Sequence, residues 1–329
     1  MIQKNPRNNT ENKREGDSMK PKTLQQIEEM KRQTLGLEIE FTGITRAHAA
    51  QVVADYFNTE PYYEGGTYYK WDIRDQQGRK WQVMYDSSIL ATAGSDTKCE
   101  LVTPILKYED IETLQEIARL LRKAGAKSNA AYRCGVHIHI GADGHTAQSL
   151  RNLANIMASR EQLIGKAIRI GANRMTYCQV TDQAFLNRLN TKKPKTMGEL
   201  EKVWYNSDTQ YHTHYDSTRY HMLNLHATFT KGTVEFRLFN FAEPADGKQN
   251  GIHAGELKTW IQLCLAMSQQ AKMVRTASPK QPQVENERFA MRTWCNRLGL
   301  IGEEFKTART LLMRNLDGDA AWRYGRPAA

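Results

Sequence analysis

Three short stretches of the sequence each carry two ionisable residues two positions apart. The pairs are Glu38 and Glu40 in LGLEIEF, His137 and His139 in CGVHIHIG, and Glu235 and Arg237 in GTVEFRLF. Side chains alternate between the two faces of an extended strand, so each pair shares one face and its apolar neighbours share the other. One such pair is compatible with a solvated strand. Three of them, together with Glu100 in CELVTP, favour a chemical site.

The residue types indicate which chemistry such a site would perform. If these strands lie side by side in one antiparallel sheet, their polar faces gather carboxylates, imidazoles and a guanidinium. Crowded carboxylates repel one another unless cations neutralise them. Ligands rich in oxygen, with few nitrogen donors and no thiolates, favour Mg²⁺ or Mn²⁺ over Zn²⁺. Mg²⁺ commonly holds nucleotide phosphates for transfer, and an Arg on the same face matches phosphate oxygens.

The elements that position these residues form an α+β pattern. Alternating apolar residues predict strands at residues 35–41, 98–106, 136–141 and 230–241, and two strands within 68–90 around a turn at Gln77 and Gly78. Helical spacing predicts helices at 46–57, 109–123, 145–168 and 253–274. No GxxxxGKS/T or GxGxxG stretch occurs in the sequence, so a bound nucleotide would lack a glycine-rich phosphate cradle.

Composition divides the chain into four segments. Residues 1–33 are predicted to be a disordered or poorly ordered polar N-terminus, within which Met19 is an alternative start. Residues 34–273 form the predicted catalytic domain, and residues 274–284, with Pro279 and Pro282, form a linker. Residues 285–329 are predicted to be a helical C-terminal extension.

Charge and cysteine content narrow the class of protein. The net charge of +10 arises mainly from the two ends of the chain, whereas the central segment is nearly balanced, so nucleic acid is a disfavoured partner. No apolar run is long enough for a membrane span, and the first 33 residues lack the apolar centre of a secretory signal. The five cysteines are odd in number and widely spaced, which predicts reduced thiols, and no nucleophile signature surrounds Cys134. We therefore expect a cytoplasmic protein.

Six stretches together resemble one known family. In chain order they are LGLEIEF, WQVMYDSSI, CELVTPIL, CGVHIHIG, RYHMLNLHATFTKGTVEFRLFN and HAGELKTWIQL. They are similar to the amidoligase family, which is related to glutamate–cysteine ligases and more distantly to glutamine synthetases. The resemblance covers roughly residues 34–270. It implies a mainly antiparallel, curved sheet of the glutamine-synthetase or glutamate–cysteine-ligase type, with helices on its convex side.

The resemblance also implies an activity and residue roles. The activity is that of an ATP-dependent ligase that phosphorylates a substrate carboxylate and lets an amine displace phosphate from the acyl phosphate. The implied ligands of Mg²⁺ or Mn²⁺ are Glu38, Glu40, Glu100, His137 and Glu235. His139 is implied to contact phosphate, Arg237 to stabilise charge, and Arg219 and Asn224 to lie near the substrate. The carboxylate would belong to an amino acid, peptide or protein.

Two features leave alternatives open. The family frequently has Asp-Gly-Ser where this chain has Asp86, Ser87 and Ser88, and Asp86 is a candidate general base for the amine. A His-x-His strand also occurs in metal-dependent amide hydrolases, although such sites usually use more imidazole than carboxylate ligands. A nucleic-acid-binding protein using the basic ends of the chain is a further alternative.

Overall fold

The computed structural model describes residues 20–208, 215–242 and 251–324. Within these ranges the central element is one open antiparallel sheet of eight strands, in the order β2-β3-β4-β5-β1-β6-β8-β7. The strands are β1 Leu35–Phe41, β2 Tyr62–Gly65, β3 Lys70–Arg74, β4 Lys80–Met84, β5 Cys99–Val102, β6 Val136–Gly141, β7 Leu223–Asn224 and β8 Thr233–Phe239. The predicted α+β class with a mainly antiparallel sheet is confirmed.

Ten helices accompany the sheet in the described ranges. They are α1 Pro21–Lys31, α2 Arg46–Phe57, α3 Ile111–Lys123, α4 Ala147–Ile168, α5 Gln183–Lys192, α6 Met197–Tyr205, α7 His226–Lys231, α8 Ala254–Met273, α9 Glu287–Arg297 and α10 Lys306–Met313. None of these described helices combines the length and apolar character that a membrane crossing requires. The predicted strand 230–241 begins only at Thr233, because α7 occupies the preceding turn and ends at Gly232, whose φ of 70° favours glycine.

The sheet has one wholly apolar face. Leu37 and Ile39 of β1, Ile138 of β6 and Phe236 of β8 are all buried on it. Helix α8 contacts β6, and α2 contacts β3 and β4. Because these apolar side chains pack into the core, the alternate positions of the same strands point to the opposite face, where the candidate site lies.

Helix α1 corrects one prediction about the N-terminus. Residues 21–31, predicted to be poorly ordered, form a helix that packs on α8, with Ile27 and Met30 buried in the core. The Gln33 amide donates to the carbonyls of Met30 and Leu265, which ties the end of α1 to α8. The polar composition of this segment predicted disorder, but a few apolar side chains are enough to pack so short a helix against the core. Residues 1–19 lie outside the described residues.

The C-terminal helices pack on the same core. Helix α10 contacts α8 and α4, and the side chains of Trp294, Phe305 and Leu312 are buried. Asn315 Nδ2 donates to the carbonyl of Ala167 at 2.8 Å, which joins the end of α10 to α4. The segment that follows α8, residues 274–284, contains no helix or strand.

Candidate active site

The strand order brings the ionisable pairs together. Strands β5, β1, β6 and β8 are consecutive neighbours in the sheet. The register places Glu40 opposite Glu100, Glu38 opposite His137, and His139 opposite Glu235. A register shift between Val136 and Ile138 interrupts the β6–β8 ladder beside His137. The carboxylates and imidazoles therefore form a band across four strands.

His137 lies at the centre of this band. Its Nδ1 atom is 3.0 Å from Glu38 Oε2 and 3.6 Å from Glu235 Oε1. Its Nε2 atom is 3.7 Å from Glu40 Oε1. One buried imidazole thus contacts carboxylates from β1 and β8, which confirms that the three polar pairs converge.

His139 presents one nitrogen to the same carboxylates. Its Nδ1 atom is 2.9 Å from Thr233 Oγ1, which fixes the ring. Its Nε2 atom is 3.3 Å from Glu38 Oε1 and 4.0 Å from Glu235 Oε1, yet it is buried and makes no hydrogen bond with a described residue. A histidine held through one ring nitrogen, with the other directed at carboxylates, has the arrangement of a metal ligand.

Among the residues that the structure describes, three groups have the geometry to hold a cation. In each group the ligand atoms lie within 4.8 Å of one another. The groups are Glu38 with His139 and Glu235, Glu38 with Glu100 and His137, and Glu40 with Asp86 and Glu100. The carboxylate-rich donor set fits Mg²⁺ or Mn²⁺.

Glu100 is the least compensated of these carboxylates. No Lys, Arg or His among the described residues forms an ion pair with it. Burial raises its pKa well above the ordinary value, and the charges of Glu38, Asp86 and Glu40 raise it further. A bound divalent cation would remove this repulsion.

Lys231 was missed by the sequence analysis. Its Nζ atom is 3.2 Å from Glu38 Oε1, and it lies at the end of α7, in the turn before β8. Burial opposes ionisation of Glu38, but the charge of His139, the contacts with both imidazoles and the charge of Lys231 together hold its pKa well below the ordinary value. The pattern FTKGT contains this lysine, but a Lys at a helix end is also common on solvated surfaces.

Glu235 is held from two sides. The Arg237 guanidinium donates to Glu235 Oε1, and Asn224 Nδ2 donates to Oε2 at 2.6 Å. Burial opposes ionisation, but the charges of Arg237, His139 and His137 together outweigh it and lower the pKa of Glu235 to about 2. Asn224 Oδ1 accepts from the backbone N–H of His226. Asn224, implied by resemblance to lie near the substrate, thus orients Glu235.

Arg174 is a second residue that the sequence analysis missed. Its Nη1 atom is 3.6 Å from Glu40 Oε2, and its Nη2 atom is 3.4 Å from His137 Nε2. The backbone N–H of Gly135 donates to the same Glu40 oxygen at 2.6 Å. A Cβ on Gly135 would lie 2.0 Å from Arg174 Nη2, so the missing side chain makes room for the guanidinium. Nothing in the sequence near Arg174 indicates this role.

Asp86 and Arg219 border the band. Asp86 Oδ1 accepts hydrogen bonds from both the backbone N–H and the hydroxyl of Ser88, each at 2.6 Å, so the turn forms with Ser87 in place of the usual glycine. The guanidinium of Arg219 lies 5.6 Å from the centre of the Tyr220 ring, and that of Arg237 lies 5.9 Å from the same centre. Asp86 thus lies in a candidate cation group with Glu40 and Glu100, whereas Arg219 shares its aromatic neighbour with Arg237.

Cys134, beside the His-x-His strand, lacks the features of a nucleophile. Its thiol is buried, and burial raises its pKa well above the ordinary value, with Glu40 contributing in the same direction. All five cysteines are free and buried. The prediction of reduced thiols agrees with this arrangement.

One of three comparisons with known proteins identifies a family. A family model described as "Putative amidoligase enzyme" matches residues 31–268, a range that contains every site residue from Glu38 to Arg237. No curated protein matches the chain significantly. Among solved structures, a bifunctional glutathione synthetase from Pasteurella multocida is similar, with a TM-score of 0.41 and 12% identity. That match covers 89% of this chain and 48% of the other, so the chain spans about half of that protein.

Proposed function

This chain belongs to the amidoligase family, and from that premise we propose that it is an ATP-dependent carboxylate–amine ligase. In the proposed reaction the γ-phosphoryl group of ATP passes to an oxygen of the substrate carboxylate, giving ADP and an acyl phosphate. The amine nitrogen then attacks the acyl carbon, inorganic phosphate leaves, and the nitrogen loses a proton. The sheet would belong to the glutamine-synthetase or glutamate–cysteine-ligase type.

The observation that carries this proposal is the band of buried carboxylates, in which Glu100 forms no ion pair with any cationic side chain of the described residues. We assign Mg²⁺ or Mn²⁺ to Glu38, Glu40, Glu100, His137 and Glu235. When bound, the metal would neutralise these carboxylates and the phosphates of ATP. The free Nε2 of His139, between Glu38 and Glu235, suits ligation of the same cations as well as the contact to phosphate that the resemblance implies.

Fixed positive charge completes the proposed phosphoryl-transfer site. Arg237 is buried, and Glu235 holds its guanidinium in one position. Charge that develops on the transferred phosphoryl group would meet a preorganised donor, which requires no rearrangement during the reaction. Two further cations lie beside the cluster: the exposed Lys231 beside Glu38 and the buried Arg174 beside Glu40. They limit the repulsion within the cluster.

The amine side of the reaction is assigned to the border of the cluster. We propose that Asp86 accepts the proton from the amine, since its second carboxylate oxygen is free of the bonds from Ser88. Arg219 would bind the substrate carboxylate through its guanidinium, which the ring of Tyr220 supports.

The hydrolase and nucleic-acid alternatives predict different measurements. A metal-dependent hydrolase would cleave amides without nucleotide, whereas the ligase would release ADP and phosphate only when a carboxylate and an amine are both present. A nucleic-acid-binding protein would retain salt-sensitive binding of DNA or RNA and show no turnover of ATP.

The proposal is tested in two steps on the purified full chain. Calorimetry should show ATP binding in excess MgCl₂ that Glu235→Gln weakens, and this Glu235-dependent binding should be lost in excess EDTA, a readout that requires no knowledge of the substrate. Pools of amino acids and peptides should then be screened for ADP and phosphate release, with product amides identified by mass spectrometry. Tight ATP binding in EDTA that depends on Glu235, or amide cleavage without ATP, would contradict the proposed function.

A further inference from the structure

A separate cavity lies between the C-terminal helices and α4. Its volume is about 500 Å³, which is within the usual size range of small-molecule sites. Residues from α4, from the segment 282–286, from α9 and from the stretch after α10 line it. Most of this lining lies beyond residue 268, outside the range that the family model matches.

The cavity gathers positive charge without matching negative charge. Its lining includes the guanidinium groups of Arg160, Arg297 and Arg323 and a single carboxylate, that of Glu285. Within the described ranges, none of the three guanidinium groups forms an ion pair or a side-chain hydrogen bond. Burial lowers the pKa of Arg160, and the charge of Arg297 lowers it further, so two cations repel each other beside the same cavity.

Contacts with neighbouring residues orient the Arg160 side chain and anchor the backbone at Arg323. The Arg160 guanidinium lies over the buried Trp294 ring, 5.6 Å from its centre, and this contact orients the guanidinium plane. Asn286 Nδ2 donates to the carbonyls of Trp322 and Arg323 at 2.7 and 3.4 Å. These bonds anchor the stretch that follows α10 beside the start of α9 and set Arg323 at the rim of the cavity.

We propose that this cavity binds the phosphate group of a small phosphorylated ligand through Arg160, Arg297 and Arg323. The planar guanidinium fork matches two phosphate oxygens at once, and bonds between charged partners are stronger than neutral ones. The ligand's negative charge would offset the repulsion between Arg160 and Arg297. This proposal does not depend on the ligase function, because no residue of the cavity belongs to the carboxylate cluster.

The test uses the full chain in excess EDTA, with inorganic pyrophosphate and AMP as the probes in calorimetry. The double variant Arg160→Gln with Arg297→Gln should bind the better probe about tenfold more weakly or worse than the parent, the loss expected on removing charge-assisted hydrogen bonds. Arg151→Gln is the matched control, because Arg151 also lies on α4 but does not line the cavity. Its affinity should stay within about twofold of the parent. Urea unfolding should show that all variants are folded.

Several results would overturn the proposal. Equal affinities for the parent, the double variant and Arg151→Gln would mean that pyrophosphate binds elsewhere or through general charge. Equal binding of citrate would show an anion site without preference for phosphate. Binding of an RNA oligonucleotide, but of neither pyrophosphate nor AMP, would identify an extended polyanion surface instead. If the double variant does not fold, the single variants Arg297→Gln and Arg323→Gln, whose side chains are more exposed, provide the same comparison.

Discussion

Replacing Glu100 by Gln should stabilise the protein when no metal is bound, and a bound metal should reduce or remove this advantage. Glu100 shares one candidate cation group with Glu38 and another with Glu40 and Asp86, with ligand atoms within 4.8 Å. Two unit charges at that distance repel by about 3 kcal/mol at an effective dielectric constant of about 20. Neighbouring cations offset part of this repulsion. We therefore expect the Gln variant, without metal at about pH 8, to gain about 1–3 kcal/mol in free energy of unfolding.

The dependence on pH gives the prediction a second readout. Because the pKa of Glu100 is raised in the folded protein, the folded state retains a proton that the unfolded chain releases. Stability of the parent therefore falls as the pH rises above the ordinary carboxyl value, and the advantage of the variant grows. Below about pH 4 the carboxyl is protonated in both states, and the advantage should disappear.

Metal should reduce or remove the stability advantage of the Gln variant. A cation at about 100 times its Kd would stabilise the parent by about 2.7 kcal/mol. The neutral amide of the Gln variant would bind the cation more weakly, so the variant should gain less. The assay is urea unfolding followed by tryptophan fluorescence, in excess EDTA and in saturating MnCl₂ or MgCl₂, across a pH series.

Glu161→Gln is the matched control for Glu100→Gln. Glu161 is also buried, but its Oε2 accepts from the N–H and the hydroxyl of Thr181, and it belongs to none of the three candidate groups. Its substitution should leave the response to metal equal to that of the parent. The reasoning fails if Glu100→Gln lowers stability in EDTA, or if metal stabilises parent and Glu100→Gln equally.

Three further predictions concern other positions. Arg237→Ala should lower kcat by about 10²- to 10³-fold with a smaller change in ATP affinity, and turnover within about threefold of the parent would refute its role. Glu235→Gln should instead mainly weaken Mg²⁺-dependent ATP binding. Gly135→Ala should displace Arg174 and cost about 1–3 kcal/mol in urea unfolding, so an unchanged unfolding midpoint would contradict the close contact. Asp75→Asn, outside the site, should cost about 1–3 kcal/mol near neutral pH, because the carboxylate accepts bonds from Arg79 and from the Trp81 indole. Since the pKa of Asp75 is lowered, that difference should vanish as the pH falls through the folded value; a difference that persists in strong acid would contradict the assignment.

The sequence alone determined the faces of the strands and the chemistry they carry. Alternation in LGLEIEF and CGVHIHIG is a local property of the backbone, so it predicted which residues share a face without any knowledge of the fold. Helix α2 and the two strands around Gly78 were predicted for the same reason. The residue types and their order along the chain also led to the family that the comparison then showed.

Tertiary structure decided which of these faces meet. Glu38 and His137 are 99 residues apart in the chain, and only the packing of the apolar face on the helices sets β1 beside β6. The convergence was predicted, but the pairing register and its irregularity beside His137 follow from long-range contacts. The curvature of the sheet expected for the glutamine-synthetase type and the domain boundaries remain predictions.

Sequence patterns did not identify residues whose role depends on a single side-chain contact. Arg174 contacts Glu40 from a single 3₁₀ turn, Ala172–Arg174, which is too short to show a periodic pattern. A lysine such as Lys231 is equally common at helix ends that face solvent. Asn224 was placed near the substrate by resemblance, yet its amide holds Glu235. A local pattern specifies how a segment can fold. The partner of an isolated polar side chain depends instead on the path of the whole chain, because the contact joins segments that are distant in sequence and local propensity does not determine how such segments meet.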